Sequence, residues 1–261
     1  MPYNHSSRSI QNQLLRQLPP EQLDRLIPHL EAVKLPPKKV LQTRGERVEF
    51  AYFPENSVVS FVVTLDDGGA VEVGMVGREG LAGIGILLGQ QTAAHDAMVQ
   101  IADTALPSAL RISFDNLRAA VVSDAKLQMH LLTYVHAFQF QIAQTAACNA
   151  SHDVEQRCAR WILTARDRIG RDEFALTHEF LAMMLSVRRA GVTMAAGLFE
   201  KAGFIRNRRG QITILDVDGL KEVSCECYRL IREEEERLLS EPSSEWRLSR
   251  LTAHKRCSVL S

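Results

Sequence analysis

The sequence predicts an α+β chain: an N-terminal antiparallel β-barrel of jelly-roll type, one long helix, and a C-terminal winged helix-turn-helix. Three patterns carry the prediction. Short β-rich runs separated by turn signals fill the stretch from Val33 to Leu110, and a helical period then continues from Asp115 to Cys148. Finally, Leu176 to Leu215 spells a short helix, a tight turn, a second helix and a two-stranded ribbon.

Along the chain, Ile10 to Leu18 reads as a helix stopped by Pro19-Pro20, and Glu21 to Leu30 as a second, with Leu23, Leu26, Ile27 and Leu30 on one face. The period then shortens to that of strands. Val40 to Gln42, Glu49 to Phe53, Ser57 to Val63, Ala70 to Met75, Met98 to Ile101 and Ala105 to Ile112 are the strand candidates. Arg44-Gly45-Glu46, Pro54-Glu55-Asn56 and Asp66-Asp67-Gly68-Gly69 punctuate them. Within the helix from Asp115, Leu131, Val135, Phe138, Ile142 and Thr145 step by four, three, four and three, the spacing of a seam between paired helices. The barrel could cover the same stripe, but self-association is preferred, because a dimer sets two recognition helices one DNA turn apart.

Asn149 to His152 reads as a hinge and Val154 to Arg168 as the helix leading into the C-terminal unit. Asp218 to Arg237 is expected to form a further helix, solvated by Glu233 to Glu236, and Ser240 to Ser261 a loosely ordered polar tail. The resulting divisions are a sensory barrel at 10–114, a dimerisation helix at 115–150, the winged helix-turn-helix at 151–228, and a C-terminal helix and tail at 229–261.

In the winged unit, Thr177 is a natural N-cap, and Phe180, Leu181, Met184 and Leu185 form an apolar stripe over barely two turns. So short a helix needs a partner, supplied by Val187, Val192, Ala195, Ala196 and Phe199. Arg188 and Arg189 open the second helix, where the helix dipole disfavours cations unless a polyanion faces them. Phe204 to Arg206 and Gln211 to Leu215 flank a turn, Asn207 to Gly210, that carries two more arginines.

The chain holds 31 basic and 31 acidic residues, so any attraction to nucleic acid must be local. Between residues 152 and 215 basic residues outnumber acidic ones eleven to seven. No segment has the length and apolarity of a membrane span, and the start lacks a signal-peptide core, which predicts a cytoplasmic protein. The five cysteines show no paired Cys-x-x-Cys motifs, so neither a disulfide scaffold nor a structural metal site is expected. Cys225-Glu226-Cys227 could bind metal or respond to oxidants, although buried thiols are the plainer reading. Cys148, His152 and Asp153 lie close enough for nucleophile chemistry to be imagined, but no phosphate loop, nucleophile elbow or His-Glu-x-x-His supports an enzyme.

Barrel, long helix and winged helix in this order resemble the Crp/Fnr family of bacterial transcription regulators over about Leu14 to Tyr228. The matching stretches are Phe53-Pro54-Glu55-Asn56-Ser57-Val58-Val59-Ser60, Gly77-Arg78-Glu79-Gly80-Leu81, and Leu176 to Leu215. The resemblance implies a cyclic-nucleotide-binding-like sensory domain, a homodimer, an operator in double-stranded DNA, and RNA polymerase as a further partner. It also implies a recognition helix at about 187–200 in the major groove, with Arg188, Arg189, Ala190 and Thr193 facing bases. Arg189 matches the arginine that relatives use on guanine, a two-bond contact worth about 1–3 kcal/mol of discrimination. Thr177, His178, Arg206, Arg208 and Arg209 are expected at phosphates.

The sensory end departs from the family. Relatives that take cyclic nucleotides set an Arg-Ser pair against the phosphate, whereas His95-Asp96 stands here, and an aspartate there repels the ligand. Arg78, Glu79, Gly80, His95 and Asp96 are the candidate effector pocket, with a cyclic nucleotide disfavoured and no cofactor expected. No cysteine precedes Cys148, so the N-terminal iron-sulfur cluster of another branch is absent, and His95, His130 and His136 show no paired signal for haem. An alternative is an effector-binding protein whose winged helix mediates protein contacts without binding DNA.

Overall fold

The computed structural model describes residues 10–66, 68–103 and 106–240. The expected polar tail lies outside the described residues apart from its first. The buried Asn12 starts the fold: its side-chain oxygen caps α1 (Gln13–Arg16) by accepting from the Leu15 amide at 3.1 Å. Its amide group donates to the carbonyls of Pro54 and Gly80 at 2.9 and 2.8 Å. Helix α2 (Pro20–Leu26) begins on a proline and passes into a 3-10 turn, Ile27–His29. Both N-terminal helices are shorter than expected.

Seven strands follow: β1 (Glu31–Val33), β2 (Val40–Gln42), β3 (Phe50–Pro54), β4 (Ser57–Thr64), β5 (Ala70–Val76), β6 (Asp96–Ala102) and β7 (Ala109–Ser113). They pair antiparallel into two sheets, β1-β7-β3 and β2-β6-β4-β5. Phe53, Val59, Phe61, Val99, Leu110 and Ile112 pool into one core from both sheets. Strand β4 reads as a continuous apolar run because both of its faces are covered. Val59 and Phe61 face that core, while Val58 and Val62 join a second core around Trp161.

The expected single helix from Asp115 is two, α3 (Phe114–Ser123) and α4 (Ala125–Ser151). Asp124 stands between them in extended backbone, its carboxylate accepting from the amides of Lys126 and Leu127 at 2.9 and 3.0 Å. Periodicity alone runs through such a cap without registering it. The seam is corrected as well. Leu131, Val135, Phe138 and Thr145 are buried within the protomer, Phe138 packs edge-on against Phe61 at 4.9 Å, and Ile142 packs against the same core. The stripe is therefore covered within the protomer, from Leu131 to Ile142 by the chain's own β-domain, and is not open to a second helix.

Helix α5 (Val154–Ile169) opens with a capping box between Asp153 and Gln156 and ends at Gly170. Next come β8 (Glu173–Ala175), α6 (His178–Met184), α7 (Arg189–Lys201), β9 (Ile205–Arg208), β10 (Gln211–Ile214), α8 (Val217–Glu222) and α9 (Cys227–Ser240). The single helix expected over Asp218 to Arg237 is thus also two, since Asp216 caps α8 and the chain breaks around Ser224 and Cys225 before α9. Helix α9 packs on α4 and α5. Glu235 is consequently not a solvating residue, because it is half-buried and paired with Arg168 at 2.6 Å. Among the described residues, no helix is long and apolar enough to cross a membrane.

Two buried charged groups join the C-terminal unit to the β-domain. Arg168, from the last turn of α5, donates from Nε to the Met75 carbonyl at 3.1 Å and lies 3.2 Å from Glu79 and 2.6 Å from Glu235. Burial opposes its charge, but Glu235 and Glu79 outweigh burial and leave the guanidinium pKa raised. Glu72, fully buried on β5, accepts from the Trp161 indole at 2.9 Å and from the Ser60 hydroxyl.

Burial pushes the Glu72 carboxyl from 4.5 to about 7, against those hydrogen bonds and the field of Arg160. The folded protein therefore binds a proton between these values; the stabilisation is complete below 4.5 and is lost as pH rises through about 7. Glu72→Gln keeps the shape and removes the charge. Thermal denaturation will show the variant more stable than the unaltered protein at pH 8, by up to about 3 kcal/mol, with the advantage shrinking toward pH 5. An equal advantage at both pH values would contradict the assignment.

Candidate nucleic-acid interface

The Thr177 hydroxyl caps α6 by accepting from the Phe180 amide at 3.2 Å. Leu181, Met184 and Leu185 of this short helix are buried with Val192, Ala195, Ala196 and Phe199 of α7, all in the core around Trp161. The turn between the helices bends at Ser186, which takes a left-handed φ of 51°, and the Val187 amide closes onto the Ala182 carbonyl at 2.9 Å. Arg157 of α5 fixes this turn from beneath by donating to the Leu185 carbonyl. Helix α7 begins two residues later than the expected start at 187. Arg188 is its N-cap, with no side-chain cap hydrogen bond, and Arg189 its first residue.

The wing is a two-residue hairpin. Arg209 and Gly210 have φ of 50° and 78°, the pair of positive values that a type I′ turn requires, and Gln211 pairs with Arg208 across it. The expected ribbon has a third strand, because β8 pairs with β10 on its free side. At three residues β8 is too short for periodicity to reveal.

His178 holds the parts together. Its Nδ1 lies 3.1 Å from the Thr193 hydroxyl on α7, and its Nε2 lies 2.5 Å from the Asn207 amide on the wing. The Asn207 amide can only donate, so in the neutral ring Nε2 accepts and Nδ1 donates to Thr193. The Asn207 backbone is fixed in turn by its hydrogen bond to Glu200 at 2.7 Å. Thus a residue expected at phosphate and one expected at bases are in contact, and Asn207, expected only as a turn residue, joins them to the wing.

On the outer face Arg188, Arg189, Ala190, Thr193, Thr177, Arg206, Arg208 and Arg209 are all exposed, and His178 is half-buried. Among the described residues, none of these five arginines makes an ion pair. Met194 stands beside Thr193 with 68% of its surface exposed, an apolar contact that sequence reasoning missed. Its position on the face opposite Val192 and Ala196 is legible from helical spacing alone.

The residues expected to line an effector pocket are not gathered in one place. Glu79 accepts from the Gly77 amide at 3.0 Å and pairs with Arg168, and a side chain at Gly80 would collide with the Tyr134 ring. Arg78 and Glu79 instead border a cavity of about 500 Å³ with Arg166, Arg168, Arg171 and Arg232. His95 packs edge-on against Phe61 at 5.2 Å, and Asp96 accepts from the Arg44 amide at 2.8 Å. Phe61 touches Phe138 and Phe138 stacks on Tyr134, so aromatic rings connect the two halves of the expected pocket and fill the interior between them. His130 bonds the Leu14 carbonyl at 3.0 Å, and the histidines considered for haem are dispersed among separate partners. Asp153 is engaged as the cap of α5, so it does not complete a catalytic set with Cys148 and His152.

Residues 156–223 match the family described as the Crp-like helix-turn-helix domain. FixK2 of Bradyrhizobium japonicum has a similar structure, at 14% identity over 75% of this chain and 96% of that one, with a TM-score of 0.62. A CRP-family transcriptional regulator of Thermus thermophilus is similar at 18% identity over 75% of this chain and 95% of its own, with a TM-score of 0.59. A CRP/FNR-family regulator of the same organism aligns at 21% identity over 75% and 97%, with a TM-score of 0.57. None of the curated proteins matches the sequence. Residues 156–223 thus match the Crp-like helix-turn-helix domain, and about three quarters of the chain shares the fold of the Crp/Fnr-family regulators it is similar to.

Proposed function

We propose that this protein is a sequence-specific, DNA-binding transcription regulator that acts as a homodimer. One observation carries the reading. Five exposed arginines without ion-pair partners, on the start of α7 and on the wing, flank a helix face of small and apolar residues in a chain of zero net charge. Arginines at a helix start repel the dipole and lack local compensation, so a polyanion is the partner that stabilises them. Arg189, with Arg188, reads guanine; Thr193 and Met194 present a hydroxyl and a thioether to neighbouring base edges and to thymine methyl groups. Arg206, Arg208, Arg209 and Thr177 hold the phosphates, with His178 bracing the two surfaces.

The dimer face is on α4 but rotated away from the buried stripe. Gln139, Ala143, Ala146 and Ala150 are exposed and step by four, three and four, with half-buried Phe140 beside them. Alanines at such positions let a second copy of the helix approach closely. Two winged units would then meet half-sites about 34–36 Å apart. With Phe61, Phe138 and Tyr134 filling the β-domain interior, a cyclic nucleotide is not its effector. RNA polymerase is the expected partner of a regulator so placed.

In a gel-shift titration with the protein's own promoter fragment, affinity will fall steeply with salt and will not respond to cyclic AMP. Arg189→Ala will lose discrimination at a guanine position by about 10-fold or more. Unchanged sequence preference in that variant would contradict base reading by Arg189, and capture of a protein partner with no shift would favour the protein-contact alternative. Ala143→Arg, at an exposed position, will yield monomers by light scattering with folding intact; a retained dimer would move the interface elsewhere.

A further inference from the structure

The end of α4, where a hinge was expected but the helix continues to Ser151, and the junction before α9 together carry a second constellation. Cys148 in α4, His152 at its C-cap, and Cys225 and Cys227 at the break before α9 each offer one ligand atom, all within 4.8 Å of one another. The sulfurs of Cys148 and Cys225 are 3.5 Å apart, and the Cys227 sulfur is 3.6 Å from Nδ1 of His152. A tetrahedral Zn²⁺ with bonds of about 2.3 Å to sulfur and about 2.0–2.1 Å to nitrogen sets its ligand atoms about 3.5–3.8 Å apart. The cluster already has nearly that size.

Three further features favour a metal over a set of idle thiols. His152 directs its other nitrogen, Nε2, to Glu226 at 3.2 Å, the carboxylate-histidine arrangement that orients a metal-bound imidazole. The Gln144 amide donates to the Cys227 sulfur at 3.1 Å, a bond suited to a thiolate. Arg157 and Arg160 are buried beside the cluster with their Nε atoms unpartnered, and three thiolates around a divalent ion leave a net negative charge for them to meet. Three thiolates and an imidazole are soft ligands that select zinc over magnesium or calcium.

We propose that Cys148, His152, Cys225 and Cys227 bind one Zn²⁺, which fastens the end of α4 to the start of α9 and so fixes the angle at which the winged unit leaves the long helix. Binding expels the remaining thiol protons to solvent and leaves the oxidation states unchanged. The site stands whether or not the winged helix binds DNA.

Protein purified without chelators will contain about one zinc per chain by elemental mass spectrometry, and cobalt added to the stripped protein will give the absorption of a tetrahedral thiolate complex. Cys225→Ser with Cys227→Ser will reduce the zinc to near zero, and Cys158→Ala will retain it. Should the double variant fail to fold, Glu226→Ala changes only an exposed side chain and will weaken zinc affinity by about 10- to 100-fold. Absence of metal, a Cys148-Cys225 disulfide detected as the loss of two hydrogens, iron in place of zinc, or full zinc in the double variant would each overturn the proposal.

Discussion

The orientation of the winged unit depends on one buried guanidinium. Arg168 comes from the winged half, hydrogen-bonds the backbone of β5 in the β-domain, and faces carboxylates from both the Gly77–Leu81 loop and α9. A charge in that position is tolerable only with its partners in place, since removing one member of a buried pair typically costs about 3–5 kcal/mol. The surrounding chain is shaped to it. A Cβ at Gly77 would collide with the Arg168 Cβ, so the loop can approach only as glycine. The loop that resembles a ligand cassette is here a joint between halves, with Glu79 paired to Arg168 of α5.

Above this joint the output surface is made rigid by small polar links. Thr177 caps α6, Arg157 fixes the turn, and His178 ties α7 to the wing through Thr193 and Asn207. The exposed arginines therefore project from a fixed frame, which would limit the entropy lost on binding the proposed duplex. Glu72 and Trp161 provide the second attachment to the β-domain, and the metal-ligand cluster at the end of α4 would provide a third.

Much of this was legible in the sequence. Helical spacing and the Thr177 cap located α6 and α7, and the positive-φ pair Arg209-Gly210 fell at the expected turn. Strand positions in the β-domain were close, because continuous and alternating apolar runs both survive as pattern. What escaped was tertiary. The Leu131 to Thr145 stripe had heptad spacing, but period cannot say whether a sheet or a second helix covers it, and the sheet does. Asp124 and the turn at Ser224 and Cys225 broke helices that looked continuous, because a cap or turn is a local hydrogen bond and not a hydrophobic signal. The Cys148-His152 and Cys225-Cys227 pairs are separated by most of the winged unit, so only folding reveals that they meet.

If the arginine-bearing face of α7 is a paired reader of duplex DNA, selection of bound duplexes from a random pool, followed by sequencing, tests it most directly. The predicted result is an inverted repeat whose half-sites are centred about 10–10.5 base pairs apart, or a whole multiple of that, with guanine at the position facing Arg189. A pool that shows no enrichment, or a single unrepeated site without a guanine preference, would contradict it.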